Sequence, residues 1–543
     1  MAMTGEAEAK RGVRAWQIVA AVLALVTLAA LIAWTQRKPL AQGALDRALA
    51  ARGVPARYRI ASIGLRWERI EHVIIGDPRD PDLTADWAEL RLSAGLGGVT
   101  ATAIRAGGVR LKGRLVNGTL RLGALDRLLP APSGKPFTLP DLDVDLSDAR
   151  MRLDTPYGQV GMRLDGAGSL AGGFRGKLAA IAPRFAAGGC EGERVTAFAD
   201  IAIANRSPHL TGPARAELLT CSGTKLLCPA MAIDAGLAEA LDRWRGGATI
   251  EAARLSGPVT LEQIGGSITF AGAARDTLGT IRLKAATAVL AANRARDLSI
   301  DGHYRLRSGV NFEGRAAALV TPDSAFAASL TRAAKGATAT PAAPLLRQLA
   351  ASAVAARDLT VNADISVSRN ALAIARIVAS SKSGAVLHVE GAQGLRIGAQ
   401  GFFADTEGRL SGGGFPAVAA QFRRLANGET RGIARVAPYA SGGAKLVLTT
   451  VSFAASPAGA MRIAATATFD GPLGDGRVEG LRAPILALVG SRGTVVVNPG
   501  CAPLAFRSLA ISGLVLNPAT LALCPQGGAM IRVAGGRLSG GAA

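Results

Sequence analysis

Residues 281–313, IRLKAATAVLAANRARDLSIDGHYRLRSGVNFE, alternate between apolar and charged positions. Ile281, Leu283 and Ala285 are apolar, and Arg282 and Lys284 between them are charged. After a gap, Leu298 and Ile300 alternate with Asp297, Ser299 and Asp301. Tyr304 and Leu306 then alternate with Arg305 and Arg307, and Val310 and Phe312 with Asn311 and Glu313. Successive side chains of a strand point to opposite faces, so each run has one greasy and one wet face. Gly302, Ser308 and Gly309 stand at the breaks and read as hairpin connections. The expected fold is mainly β, an up-and-down antiparallel sheet with one apolar face.

The same pattern recurs along the chain. Leu142, Val144 and Leu146 alternate with Asp141, Asp143, Asp145 and Ser147; Met151 and Leu153 follow, then Met162 and Leu164. Further on come Leu359, Val361, Ala363, Ile365 and Val367, and then Leu446 and Leu448. Of the 543 residues 49% are hydrophobic but only 4% aromatic, and 67 are Gly. The apolar content is therefore small and aliphatic, which suits a thin, extended sheet better than a thick core. Residues 321–357 interrupt the strands. Stretches 324–334 and 344–355 look helical, and the segment between them is rich in Gly, Thr and Ala. This reads as a helical insertion between a first β-part, residues 58–320, and a second, residues 358–543.

A net charge of +22 points to an anionic partner, nucleic acid or a phospholipid surface. The basic residues sit singly on wet strand faces, without a basic patch or stacking aromatics, so nucleic acid is not expected. His72, His209, His303 and His388 are scattered, with no second ligand at metal spacing. No GxSxG elbow, Walker loop or strand-helix GxGxxG occurs. Neither an enzyme nor a cofactor is expected. Five cysteines are an odd number. Cys501 and Cys524 flank a strand–turn–strand stretch; a bridge there would close a loop of roughly 24 residues and contribute about 3 kcal/mol, in an oxidising compartment. Among Cys190, Cys221 and Cys228 at most one pair can form, and buried free thiols are the alternative.

At the amino terminus, residues 1–14 form a short polar tail with Lys10, Arg11 and Arg14. Residues 15–34 carry no charge, enough to cross a bilayer as a helix, and Trp16 and Trp34 bracket them as interfacial anchors. A cleaved signal peptide fits less well, because the apolar run is long and Arg37 and Lys38 follow at once. The tail is expected in the cytoplasm and the bulk of the chain beyond the inner membrane. Residues 35–57 read as a linker helix, with Leu40, Leu45 and Leu49 near helical spacing and Gly53 as the stop.

Residues 60–129 resemble the amino-terminal unit of the AsmA-like envelope proteins, which include TamB and YdbH. The shared elements are a strand ending in the Asp77-Pro78 turn, a second turn at Pro81-Asp82, and a strand with Ala88, Leu90 and Leu92. Then come Val109-Arg110-Leu111, Gly118-Thr119-Leu120 and a Leu-Asp-Arg-Leu-Leu helix. Three later stretches resemble the YdbH branch: the Cys221–Cys228 region leading to Leu241-Asp242-Arg243-Trp244, residues 431–453 with Ala437-Pro438-Tyr439, and the 501–524 hairpin ending Leu523-Cys524-Pro525. The resemblance implies an elongated, taco-shaped β-groove, anchored in the inner membrane, that carries phospholipid through the periplasm toward the outer membrane. It also implies a small outer-membrane lipoprotein at the far end. The groove would be lined by the apolar set named above: Leu142, Val144, Leu146, Met162, Leu164, Ile281, Leu283, Leu298, Ile300, Leu306, Phe312, Leu359, Val361, Ile365, Leu446 and Leu448. Members of that branch carry a further carboxy-terminal half, so the groove is expected to be incomplete here. The alternatives are an assembly scaffold for outer-membrane or secreted proteins, as the TamB resemblance allows, and a dry β-sandwich stalk.

Overall fold

The computed structural model describes residues 37–543, apart from breaks at 65–66, 96–97, 117–118, 129–137, 188, 258, 291–292, 369–370, 399–400, 426, 458–459, 491–493 and 535–536; before residue 37 it describes only 24, 26 and 27. Residues 15–34, with Trp16 and Trp34, therefore fall outside the described residues but for those three. No helix among the described residues is long and apolar enough to cross a membrane. The chain is mainly β and forms two compact units, Met1–Ser222 with Ala230–Gly246, and Gly223–Pro229 with Gly247–Ala543.

In the first unit the helix Arg37–Ala51 ends at Gly53 in the left-handed region (φ +64°). The Tyr58 hydroxyl donates to the Asp46 carboxylate at 2.6 Å and ties the helix to the first strand, Ala56–Ile63. Burial, and then that carboxylate, push the Tyr58 pKa above its ordinary value. Antiparallel pairing continues through Glu68–Asp77, Asp80–Gly95 and Gly98–Gly107.

Here the expectation of a purely antiparallel sheet needs correcting. The strand Asp143–Thr155 runs parallel to both Gly98–Gly107 and Arg110–Val116. Thr119–Arg121 turns back antiparallel on Arg110–Val116, and Asp143–Thr155 then runs along Arg110–Val116 in its direction. Thereafter Gly158–Ser169, Arg175–Ala187, Cys190–Ala204, Ser207–Arg215 and Ala230–Leu237 alternate in direction. Cys190 faces Cys221 across paired strands and is bonded to it.

In the second unit a long run of strands pairs in the order of the sequence. The series runs Thr260–Ala273, Asp276–Leu290, Asn293–Leu306, Val310–Thr321, Leu359–Ser368, Ala371–Ser381, Val386–Gly398, Gly401–Ser411, Val418–Arg424 and Thr430–Val436. Met461–Leu473 and Gly476–Val489 extend it. Gly302 is not a turn. It lies inside Asn293–Leu306, so the runs around Ile300 and Tyr304 form one strand. Cys501 and Cys524 are bonded beside the paired strands Ala502–Phe506 and Ala519–Leu523, and Cys228 is free and exposed.

Two helices, Ala325–Gly336 and Ala342–Ala355, leave the sheet after Thr321 and return at Leu359. They pack on each other, and the second also meets the hairpin of Tyr439–Ser441 and Ala444–Leu448. Gly442 is shaped by this contact: a Cβ there would stand 2.8 Å from Pro344.

Candidate functional site

Residues directly opposite in an antiparallel pair share a face of the sheet. In the second unit this places apolar side chains in continuous rows. Leu283 faces Ile300, then Ala316, Ala363, Ile377 and Val389 on successive strands. A second row is Tyr304, Phe312, Val367, Leu372, Ile397 and Phe402. A third is Ala318, Val361, Ala379, Leu387, Leu410, Val418 and Val436. Ile281 faces Gly302, which faces Gly314 and then Ile365. The Phe312 ring lies over both glycines.

Of the residues singled out in the sequence, this face collects Ile281, Leu283, Leu298, Ile300, Leu306, Phe312, Leu359, Val361 and Ile365. Leu446 and Leu448 join it through Phe469 and Ala467. In the first unit, Val144 and Leu146 lie beside Ile104 and Ala106, and Met162 pairs with Met151 and Leu164 with Ala149. Leu142 precedes its strand, and its carbonyl accepts from the Leu170 amide at 2.9 Å. Alternation alone missed Leu372, Ile377, Leu387, Val389, Ile397 and Phe402. Strand register was the missing signal, because a bulge between Glu390 and Gly394 breaks the local alternation.

The face is apolar but not packed shut. Among the described residues, buried apolar side chains are mostly alanine; the larger ones are Val54, Val73, Phe174, Ile203, Leu345, Val478 and Phe506. Ile281, Leu283, Ile300, Phe312, Val361 and Ile365 are only half-buried, and Leu306 is 42% exposed. A core closed by a second layer would bury such side chains completely and pack them at crystal-like density.

Irregularities in neighbouring strands line up. Gln263 (φ +52°) and Asp297 (φ +53°) are both in the left-handed region, and the pairing registers on either side of Ala286 skip these positions. Ala375 faces a bulge of several residues that starts after Glu390. A bulge bends its strand and sharpens the local twist, so bulges in register bend adjacent strands together.

The opposite face carries charge in cross-strand order. Arg282 pairs with Asp301 at 3.8 Å; Asp301 stands opposite Arg315; Arg315 and Arg376 both reach Asp364, at 3.6 and 3.0 Å. These exposed pairs each contribute less than about 1 kcal/mol and serve mainly to keep the face wet. Hydrogen bonds from Arg59, Arg110, Arg254 and Arg305 hold Glu71, Asp148, Glu262 and Asp276 below the usual carboxylate range. A carboxylate with a depressed folded pKa stabilises the fold above its unfolded pKa, and that contribution is lost as pH falls through the folded value. Thermal unfolding followed by circular dichroism should therefore show a steady midpoint at neutral pH that drops once pH falls below about 4. A midpoint unchanged at that acidity would show that these pairs add nothing.

His209 Nε2 lies 3.1 Å from Asp234, and no group of His, Cys, Asp and Glu among the described residues is arranged to hold a metal ion. No curated protein and no solved structure matches the chain. Residues 23–534 match the family model described as "YdbH-like: Intermembrane phospholipid transport protein YdbH", a family of lipid transport and not of catalysis. With nearly its whole length matched, and with a half-exposed apolar face backed by a charged one, the chain belongs to the YdbH-like family of intermembrane phospholipid transport proteins.

Proposed function

We propose that this protein carries phospholipid acyl chains along its apolar face, between the inner and outer membranes of a cell envelope. In this reading residues 15–34 anchor it in the inner membrane and the rest of the chain stands in the periplasm. A small outer-membrane lipoprotein meets it at its far end. One observation carries the proposal: the large aliphatic residues of the face, Ile281, Leu283, Ile300 and Val361 among them, stay half-exposed over many consecutive strands. Free transit of a lipid through water is forbidding, since about 30 methylenes at roughly 0.8 kcal/mol each cost on the order of 24 kcal/mol. An open hydrocarbon surface removes that barrier without breaking a covalent bond.

The test is native mass spectrometry of residues 39–543, purified without detergent. Adducts at phospholipid masses are expected. A photocrosslinker at position 283 should label lipid strongly, and one at 282, on the charged face, only weakly. Adduct-free protein, or equal labelling from both positions, would end the proposal.

A further inference from the structure

In the second unit a hollow of about 670 Å³ lies between the two helices and the rim of the sheet. That volume falls within the roughly 300–1,000 Å³ common for small-molecule sites. The helices contribute Phe326 and Val354 to its wall, and the apolar face contributes Leu359, Leu387 and Leu410. Phe326 is 62% exposed and Val354 52%, large apolar side chains left mostly open to solvent. Ala379 and Ala385, both buried, add only methyl groups to the lining.

The helices are held in place by contacts on their other side. Pro344 rests against Gly442, Ser352 lies beside Gly414, and the Gly474 amide donates to the Ala339 carbonyl at 2.8 Å. Gly414 (φ +80°) has no room for a side chain, since a Cβ there would stand 2.5 Å from the Ser352 hydroxyl. Propped in this way, the helix pair does not collapse onto the sheet.

Arg357 also borders the hollow and makes no ion pair among the described residues. The neighbouring carboxylates are engaged elsewhere: Asp358 accepts from the Thr321 hydroxyl at 3.2 Å and lies 4.0 Å from Arg296, and Asp323 accepts from the Ala325 amide at 3.1 Å. A largely apolar chamber with an unpaired guanidinium on its wall, beside the Asp323 carboxylate that caps the Ala325 amide, matches an amphiphile with a hydrocarbon tail and a headgroup carrying a phosphate.

We infer that this hollow is a discrete seat for one glycerophospholipid, with an acyl chain under the helices and its phosphate at Arg357. The inference rests on the proposed lipid-carrying function and locates one stop along the face. Guanidinium and phosphate form charge-assisted, often bidentate hydrogen bonds, which suits Arg357 to the headgroup.

The experiment uses the full chain mixed with phosphatidylethanolamine–phosphatidylglycerol vesicles, with a photocrosslinker at position 326 or, separately, at 283. Lipid should label from both positions. Arg357→Glu should cut labelling at 326 by about tenfold, the scale of a lost charged hydrogen bond, and leave labelling at 283 unchanged; Arg357→Lys should restore part of it. Val354→Trp, which puts a bulky ring into the chamber where the acyl chain would lie, should also cut labelling at 326. Phe326, Val354 and Arg357 are exposed, so these variants leave the packing of the sheet alone. Labelling at 283 without labelling at 326, or labelling at 326 that ignores Arg357→Glu, overturns the seat and spares the wider function. Labelling at neither position overturns both.

Discussion

With Leu283 changed to aspartate, phospholipid transfer between donor and acceptor vesicles should fall by about a hundredfold while the protein stays folded. Leu283 sits in the row that continues through Ile300, Ala316, Ala363 and Ile377. An acyl chain moving along that row must pass a carboxylate instead of an isobutyl group. Placing aspartate in hydrocarbon costs about 2.5–3.5 kcal/mol, which corresponds to the predicted factor. The matched control is Arg282→Asp. It breaks the 3.8 Å pair with Asp301 on the other face, a loss of less than about 1 kcal/mol, and should leave transfer intact. An assembly scaffold would tolerate Leu283→Asp. Wild-type transfer by that variant would remove the apolar face from the lipid's path.

Gly302→Val should destabilise the second unit by about 2–3 kcal/mol, the usual cost of forcing volume into a filled site. A Cβ at 302 would stand 2.4 Å from the Glu313 carbonyl oxygen and 2.6 Å from the Phe312 ring. The ring can turn aside, but the carbonyl is part of the paired strand and cannot. Gly314 is confined in the same way, 2.2 Å from the Asp301 carbonyl. Urea unfolding followed by circular dichroism measures the effect, and a midpoint equal to that of the unaltered chain would refute this close approach.

Gly302 also marks where local reading of the sequence stops. A glycine between two alternating runs is ordinarily turn punctuation, and residues 302 and 309 look alike to that rule. They differ because Phe312 pairs beside Tyr304 and covers the bare backbone at 302, a relation that exists only once register is set. Over residues 281–285 alternation was reliable because no bulge intervenes. Past Ala285 it loses phase. Ala285 and Ala288 are both buried although three residues apart, and the ladder pairing on both sides skips Ala286 between them. The parallel placement of Asp143–Thr155 depends on strands far from it in sequence, and no local pattern encodes that. Three cysteines likewise offered no choice of partner by spacing. The pairing of Cys190–Ala204 with Leu218–Cys221 sets Cys190 opposite Cys221 and leaves Cys228 over.

The neighbour-to-neighbour ladder of the second unit has a consequence for how the chain is made. From Thr260–Ala273 to Thr430–Val436 every new strand docks on the one synthesised just before it, so assembly can keep pace with a chain emerging amino terminus first. Most closures span only a short turn, which keeps their entropic cost low. Until the next strand arrives, however, the newest one offers unpaired amides and carbonyls to any passing β-segment. A stalled or truncated chain would therefore be adhesive at its growing tip, and proteases or holdase chaperones acting there would guard its biogenesis.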